Sequence, residues 1–167
     1  EHLEKTISSK RYIHSVNVMN SALSLARLYS VDENKAAVAG LLHDCAKDLK
    51  NEDAYEIYKK FDIETDEITK RQPRLLHGPV GAYIAEICYG ITDKEILNAI
   101  KFHTTGKENM NMLEKIIFIS DYIEPERNFP GVDDIREWVT KDIDRAIVLA
   151  LDSTIKRVLG KGALLHP

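Results

Sequence analysis

Four histidines and two aspartates lie at positions where helices would turn them toward a protein core. His43 and Asp44 are adjacent and close the apolar run AAVAGLLHD. Burying a polar group without a partner costs roughly 2–7 kcal/mol, and an unpaired charge costs more, so this pair needs partners. Imidazole nitrogens and carboxylate oxygens are together the donors of a mixed N/O metal site. The candidate set is His14, His43, Asp44, His77, His103 and Asp121.

The spacing of neighbouring apolar residues supports this interpretation. His14 shares a helical face with Val18, and Asp121 follows Ile117 and Phe118 at the i+4 and i+3 positions. A single histidine on an apolar face is more often a hydrogen-bonded core residue than a ligand. Six inward polar residues, however, are too many to satisfy one another in pairs. The set therefore predicts a metal site.

Two cations stand close to this set in the sequence. Lys47 follows His43 by four residues and Asp44 by three, so a helix would bring it to their face, where an ammonium group can hold a phosphate oxygen. Arg127 follows Asp121 after a proline-containing turn and could lean over the same site. The alternatives are a solvated helix end for Lys47 and a surface loop for Arg127.

Other catalytic patterns fit less well. The sequence contains no GxxxxGK phosphate loop, no HExxH pair and no GxSxG elbow. Cys45 adjoins the His-Asp pair and could form a Cys-His nucleophile, but the carboxylates favour a metal. Cys45 and Cys88 have no metal-finger spacing, and we expect both to be small buried thiols in a reducing cytoplasm.

Composition limits the classes of partner. The 167 residues are 44% hydrophobic and 30% charged with a net charge of −4, which suits one domain and argues against a general nucleic-acid binder. A phosphorylated small molecule is not excluded, because a bound cation would change the local field. The sequence has no uninterrupted apolar run of transmembrane length and no signal segment, so we expect no membrane partner and a cytoplasmic protein.

The hydrophobic periodicity is helical almost throughout, with no convincing alternating strand pattern, which predicts a single all-α domain. Capping boxes at Ser30–Glu33 and Thr92–Glu95, Asn51 as a cap, Pro79 in a first turn and Gly90 as a stop mark helix ends. The predicted helices are Arg11–Tyr29, Ser30–Asp44, Asn51–Phe61, Asp66–Lys70, Pro79–Cys88, Thr92–His103, Met112–Ile123 and Asp142–Leu159.

The order His, His-Asp, His, His, Asp along a helical chain resembles the HD-domain metal-dependent phosphohydrolases. The segments RYIHSVNV, AGLLHDCAKD, LLHGPVGAYIA, KFHTTG and ISDYIEPER resemble the YqeK family within that group. The resemblance implies an HD-domain helical bundle over residues 1–167. It also implies symmetrical bis(5′-nucleosyl)-tetraphosphatase activity, which splits diadenosine tetraphosphate into two ADP.

The same resemblance implies iron as the cofactor, as one or two ions, with manganese or another divalent metal as an alternative. By position, the implied metal ligands are His14, His43, Asp44 and Asp121. With two metals, Asp44 would bridge them, and His77 and His103 would hold the second. With one metal, those two histidines would contact substrate phosphates instead.

The expected partner is a small nucleotide, a dinucleoside polyphosphate or its ADP or GDP product. Bound metal would lower the pKa of a water molecule and supply hydroxide, and a protonated His77 or His103 would protonate the leaving group. The predicted catalytic residues are Asp44, Lys47, His77 and His103. The predicted substrate contacts are His14, Lys47, His77, His103, Thr104, Asp121 and Arg127.

The ends of the chain give two further expectations. His2 and His166 are interpreted as surface residues. The family's tail continues past a His-Pro pair, whereas this chain stops at Leu165-His166-Pro167, so a substrate-contacting tail is expected to be missing and His166 could lie near the site.

Three other functions compete with this one: a 5′-nucleotidase or other nucleotide phosphohydrolase on the same site, a nucleotide-binding HD module without turnover, and a structural helical domain. A homodimer is a possible assembly.

Overall fold

The computed structural model describes residues 2–166, and within that range it is all-α with no strand, which confirms the predicted fold class. Glu1 and Pro167 lie outside the described residues. A 3-10 helix, Pro73–Leu75, precedes α6. The α-helices are α1 (His2–Thr6), α2 (Ser9–Leu28), α3 (Glu33–Leu42), α4 (Asn51–Lys60), α5 (Glu67–Arg71), α6 (His77–Tyr89), α7 (Lys94–Phe102), α8 (Met112–Ile123), α9 (Val132–Trp138) and α10 (Ile143–Gly160). None of the helices in this described part has both the length and the apolar content that a bilayer span requires.

Helix α8 lies at the centre of the molecule. Its residues Ile116, Ile117, Phe118 and Ile119 are fully buried, because α2, α3, α7, α9 and α10 all pack around it. A helix that is apolar on every side can be stable only when it is surrounded in this way. Asp121 follows this run in the last turn of α8, so the fold carries a carboxylate from the core to the site.

Helices α2 and α3 form the most extensive helix pair, and Gly40 lets them approach closely. A Cβ on Gly40 would lie 2.9 Å from the Cα of Met19 and 3.2 Å from its backbone nitrogen. The close approach brings His14 on α2 beside His43 at the end of α3. Gly78 has a similar role between α6 and α7, where a Cβ would lie 2.5 Å from the carbonyl oxygen of Lys101.

Helix starts differ from the predicted capping boxes by one or two residues. The N-cap of α3 is Asp32, which accepts a hydrogen bond from the Lys35 amide, whereas Ser30 adopts a left-handed conformation with φ of 55°. The N-cap of α7 is Asp93 rather than Thr92. An aspartate closer to the helix can accept directly from the first free amides, which explains both shifts. Asn51 is the first residue of α4 and does not cap it.

The structure corrects two further expectations. Helix α9 was not predicted, because seven residues are too few for a clear helical period. Cys88 is exposed, since it lies on the outer face of α6, whereas Cys45 is buried as expected. The predicted stop at Gly90 is confirmed by its left-handed φ of 69° at the C-cap of α6.

We expect Gly40→Ala to lower the free energy of unfolding by about 1–3 kcal/mol, because the new methyl group meets the α2 backbone, which cannot rotate away. The matched control is Gly160→Ala, where a Cβ would meet nothing within 4 Å. That variant should be neutral or stabilising by up to about 1 kcal/mol. Urea denaturation of both variants tests the difference, and equal stability of the two would contradict it.

Candidate metal centre

The six predicted residues converge on one point although they come from five helices or helix ends. His14 lies within α2, Asp121 within α8, His43 and His103 are the C-cap residues of α3 and α7, and His77 opens α6. The Nε2 atoms of His14 and His43 lie 3.3 Å apart, and those of His77 and His103 lie 3.1 Å apart.

The segment that carries Asp44 was predicted to be helical, but it is not. Helix α3 ends at Leu42, and residues 43–49 form consecutive turns with i to i+3 hydrogen bonds, such as Lys47 N to Asp44 O at 3.0 Å. The turns still bring Lys47 back over the pair, with its Nζ 3.8 Å from Asp44 Oδ1. Lys47 therefore lies beside Asp44, as the spacing predicted, although the predicted helical conformation of this segment was wrong.

Three of the four imidazoles are oriented by a backbone carbonyl three residues earlier. Their Nδ1 atoms lie within hydrogen-bond distance of carbonyl oxygens, which join His43 to Gly40 at 2.7 Å, His77 to Arg74 at 2.6 Å and His103 to Ile100 at 2.7 Å. A carbonyl can only accept, so each Nδ1 carries a proton and each ring turns its Nε2 toward the centre. Lone pairs that face each other across about 3 Å repel unless a cation or proton lies between them, which is the arrangement of metal-ligating histidines.

His14 is oriented differently. Its Nδ1 lies 3.2 Å from Oε1 of Glu124, and its Nε2 lies 3.0 Å from Oδ1 of Asp121. Burial alone lowers the pKa of His14, but the attraction of Asp121 and Glu124 outweighs it, so this pKa is raised. In the metal-free protein His14 therefore keeps its proton more readily than His43 and His77 do.

The two oxygens of Asp44 divide the site between them. Oδ2 lies 3.7 Å from His14 Nε2 and 3.6 Å from His43 Nε2. Oδ1 lies 3.4 Å from His77 Nε2 and 3.3 Å from His103 Nε2. The carboxylate thus stands between two pairs of imidazoles, with one oxygen directed at each pair.

The donor set fits a transition metal. Within residues 2–166, two groups have ligand atoms that all lie within 4.8 Å of one another: His14, His43 and Asp121, and His43, Asp44 and His103. Oδ1 of Asp44 is buried with no hydrogen-bond donor in that range, an orphaned anion that a cation would satisfy. Imidazole nitrogens suit iron better than calcium or magnesium.

Burial determines the charge of the inner imidazoles. Desolvation lowers the pKa of His43 to about 4, and desolvation together with the neighbouring His103 and Lys47 lowers that of His77 to about 3. Both rings are therefore neutral at pH 7. Neutral rings can ligate a metal through Nε2, and the remaining proton of His77 lies on Nδ1, which is directed at the Arg74 carbonyl.

The two aspartates stay ionised in the same surroundings. Burial by itself would raise the pKa of Asp44, but attraction from His43, His103 and Lys47 holds it well below the ordinary aspartate value. Burial opposes ionisation of Asp121 as well, and the bond with His14 and the charge of Arg127 depress its pKa strongly. Anionic oxygens and neutral nitrogens are the protonation states that metal ligands require.

The centre opens into a cavity of about 960 Å³ that Asp44, His103, Thr104 and Asp121 line at its inner end. Five cations also line it: Arg11, Lys47, Lys107, Arg127 and Arg157. A cluster of positive charge in a cleft raises the local concentration of anions, even in a chain whose net charge is −4.

Each of the three predicted substrate contacts outside the ligand set lies at this cavity. Lys47 Nζ is 2.9 Å from His77 Nε2, and Thr104 Oγ1 is 2.9 Å from the Nε2 atoms of both His77 and His103. Arg127 pairs with the Asp121 carboxylate and donates from Nε to the Asp121 carbonyl at 2.7 Å. Arg127 therefore lies at the site and not on a free surface loop.

The remaining predictions concern the two terminal histidines and Cys45. His166 lines the cavity, with its Nε2 3.0 Å from Asp66 Oδ2, as the tail argument expected, and His2 is exposed on α1. Cys45 donates to the Gly81 carbonyl at 3.4 Å, and burial raises the pKa of its thiol to about 12. A thiol with that pKa is not a nucleophile near neutral pH, so the Cys-His alternative fails.

Three residues of the site were missed from the sequence. Arg11 Nη1 lies 2.5 Å from Asp44 Oδ2. Glu124 supports His14, and Arg136 donates to the Glu124 and Arg127 carbonyls at 3.0 and 2.9 Å, which fixes the turn after α8. Spacing could have indicated the first two, because Arg11 precedes His14 by three residues and Glu124 follows Asp121 by three.

Comparison with known proteins agrees with this geometry. The HD domain family model matches residues 11–126, and the chain belongs to the HD-domain family.

Two curated relatives narrow the comparison, and both are named symmetrical bis(5′-nucleosyl)-tetraphosphatase. The Bacillus subtilis protein is 36% identical over 99% of this chain and 88% of its own length, and the Halalkalibacterium halodurans protein is 43% identical over 96% and 86%. A crystal structure of a predicted HD superfamily hydrolase involved in NAD metabolism from Clostridium acetobutylicum is 47% identical. It covers 99% of this chain and 87% of that one, with a TM-score of 0.95. The resemblance to the YqeK family is thereby confirmed.

The buried histidines predict how the stability of the metal-free protein depends on pH. His43 and His77 have folded-state pKa values of about 4 and about 3, below the ordinary 6.5, so between these limits the unfolded chain binds more protons. The two neutral rings therefore leave the free energy of unfolding at its full value above pH 6.5. As the pH falls below 6.5, that free energy decreases by about 1.4 kcal/mol per pH unit for each histidine. The raised pKa of His14 changes the free energy of unfolding only above pH 6.5, so it does not affect this range.

Urea denaturation of chelator-treated protein between pH 7 and pH 5 measures this slope. His77→Gln should reduce the slope by about half, because it removes one of the two protons. Stability that stays constant between pH 6.5 and 5 would show that the two rings are not buried in the neutral state.

Proposed function

We propose that this protein is a metal-dependent phosphohydrolase that cleaves diadenosine tetraphosphate symmetrically into two ADP. The observation that carries the proposal is the carboxylate of Asp44 between two pairs of imidazoles, at the inner end of a cation-lined cavity. The names of the curated relatives supply the substrate, since both are called symmetrical bis(5′-nucleosyl)-tetraphosphatase.

His14, His43, Asp44 and Asp121 would hold a first metal, and His77 and His103 would hold a second one with Asp44 as the bridge. The division of the Asp44 oxygens between the two imidazole pairs supports the two-metal alternative over the single-metal one. Iron is the metal that the family resemblance implies, with manganese or another divalent metal as the alternative. When bound, the metal supplies a hydroxide near neutral pH and a positive charge for the phosphate oxygens.

The residues around the metal ligands bind and orient the polyphosphate. The cations Lys47 and Arg127 face the anionic oxygens of the phosphate under attack, where fixed positive charges stabilise the charge that spreads in the transition state. Thr104, which contacts the Nε2 atoms of His77 and His103, can donate its hydroxyl proton to a phosphate oxygen.

In this mechanism Lys47 is the proton donor to the leaving group. Burial lowers the pKa of the Lys47 ammonium, which makes its proton easier to transfer, and Nζ lies at hydrogen-bond distance from His77. A proton from Lys47 to the leaving phosphate oxygen would complete the cleavage.

The whole chain is proposed to act as one domain over residues 1–167. The family model ends at residue 126, but α9 and α10 pack against α8, and the second half of α10 lines the cavity through Thr154 and Arg157. A cytoplasmic location and a homodimer stay predictions.

We expect Asp44→Ala to lose bound metal and to lower the rate of diadenosine tetraphosphate hydrolysis by about 100-fold or more, because both imidazole pairs lose their shared oxygen donor. Elemental analysis gives the metal content, and chromatography of the products distinguishes two ADP from ATP plus AMP. The control is Asp134→Ala on the exposed face of α9, which should retain both. Full metal content and full activity in Asp44→Ala would disprove the mechanism.

Lys47→Met keeps the aliphatic stem and removes the ammonium group. The variant should keep its metal and lower kcat by about 100- to 1000-fold, because a charge beside the reacting phosphate stabilises the transition state. Steady-state kinetics with metal analysis tests this. A variant that raises KM alone would limit Lys47 to substrate binding. A panel with mononucleotides in the same assay would reveal a 5′-nucleotidase.

A further inference from the structure

Glu124 is a buried carboxylate that supports only one of the four imidazoles. Its side chain is 3% exposed, and its Oε1 lies 3.2 Å from Nδ1 of His14. The three other histidines direct Nδ1 to neutral backbone carbonyls. His14 is therefore the imidazole of the site with an anion behind it.

We propose that Glu124 is a positioning residue of the metal centre, which holds the His14 ring with Nε2 toward the site and makes that nitrogen a stronger donor. A carboxylate that accepts the Nδ1 proton of a ligating histidine fixes the tautomer and increases electron density at Nε2. The inference rests on the proposed function, because it assumes that His14 ligates a metal.

Glu124 is itself held on every side. Its Oε2 accepts hydrogen bonds from Asn17 Nδ2 at 3.3 Å and from the Glu126 amide at 2.8 Å. Its backbone carbonyl accepts from Arg136 Nη2 at 3.0 Å. With Oε2 occupied by two donors, Oε1 cannot turn away from His14. The fixed carboxylate therefore determines the orientation of the imidazole.

A second buried glutamate on α8 provides a control. Glu114 has an equally buried side chain, accepts from the Asn111 amide at 2.8 Å and pairs with Lys107 at 2.9 Å. These contacts close the N-terminal capping box of α8 and include no imidazole. Glu114→Gln and Glu124→Gln thus each remove one buried charge, at opposite ends of α8, and only the second change reaches His14.

The test measures the dissociation constant of Mn²⁺ by chelator competition, in the absence of nucleotide. Glu124→Gln should weaken Mn²⁺ binding by about 10- to 100-fold, the range found for the partners of metal-ligating histidines. Glu114→Gln should leave Mn²⁺ binding within about twofold of the wild type, even if it lowers the unfolding temperature. Asn17→Ala, which removes one donor to Glu124, should weaken binding by at least about threefold.

A double-mutant cycle shows whether Glu124 acts through His14. In a His14→Ala background, Glu124→Gln should change the Mn²⁺ dissociation constant by less than about twofold. Equal weakening with and without His14 would overturn the inference, as would unchanged binding in Glu124→Gln. If Glu124→Gln does not fold, Asn17→Ala decides by the same cycle.

The two proposals fail in different ways. If the wild-type chain binds Mn²⁺ tightly and Glu124→Gln binds it equally well, the role of Glu124 is wrong and the proposed function stands. If the wild-type chain binds no Mn²⁺, both are wrong.

Discussion

The burial of one carboxylate among four imidazoles is the constraint on which the rest of the structure depends. Asp44 is 2% exposed, and an anion so placed must be compensated, because its hydration is lost. The protein surrounds it with imidazole nitrogens, a lysine and an arginine, and leaves one oxygen without a donor among residues 2–166. The helices that carry these groups must therefore meet at one point, and the packing of α2, α3, α6, α7 and α8 follows from that requirement.

The apolar centre of the molecule stabilises this arrangement. Residues 116–120 of α8 are all buried and Asp121 follows them in the same helix, so core packing and site geometry share one rigid element. A displacement of α8 would cost buried apolar contacts at about 25 cal/mol per Å². The position of Asp121 relative to His14 is consequently as stable as the core itself, which suits a site that must hold donors at fixed distances.

The sequence was most informative where the physics is local. Periodicity and stop residues predicted α2, α6, α8 and α10 closely, and the six ligand candidates followed from polar types on apolar faces. Arg11 and Glu124 were missed because their partners lie 33 and 110 residues away in the chain, although each stands only three residues from a ligand candidate. The predicted N-caps were wrong for a different reason. Asp32 and Asp93 lie within two residues of Ser30 and Thr92 and are equally good N-cap residues, so only the backbone conformation decides which of them caps the helix.

Three of the imidazoles lie at helix ends and take their orientation from the final or preceding turn of the backbone. An α-helix rotates by about 100° per residue, so one residue added to or removed from α3 or α7 would turn His43 or His103 away from Asp44. The number of residues in the connections 61–66 and 107–111 does not set the direction of any of these imidazoles. Among related chains, insertions and deletions should therefore accumulate in these connections, while the number of residues in α3 and α7 stays fixed.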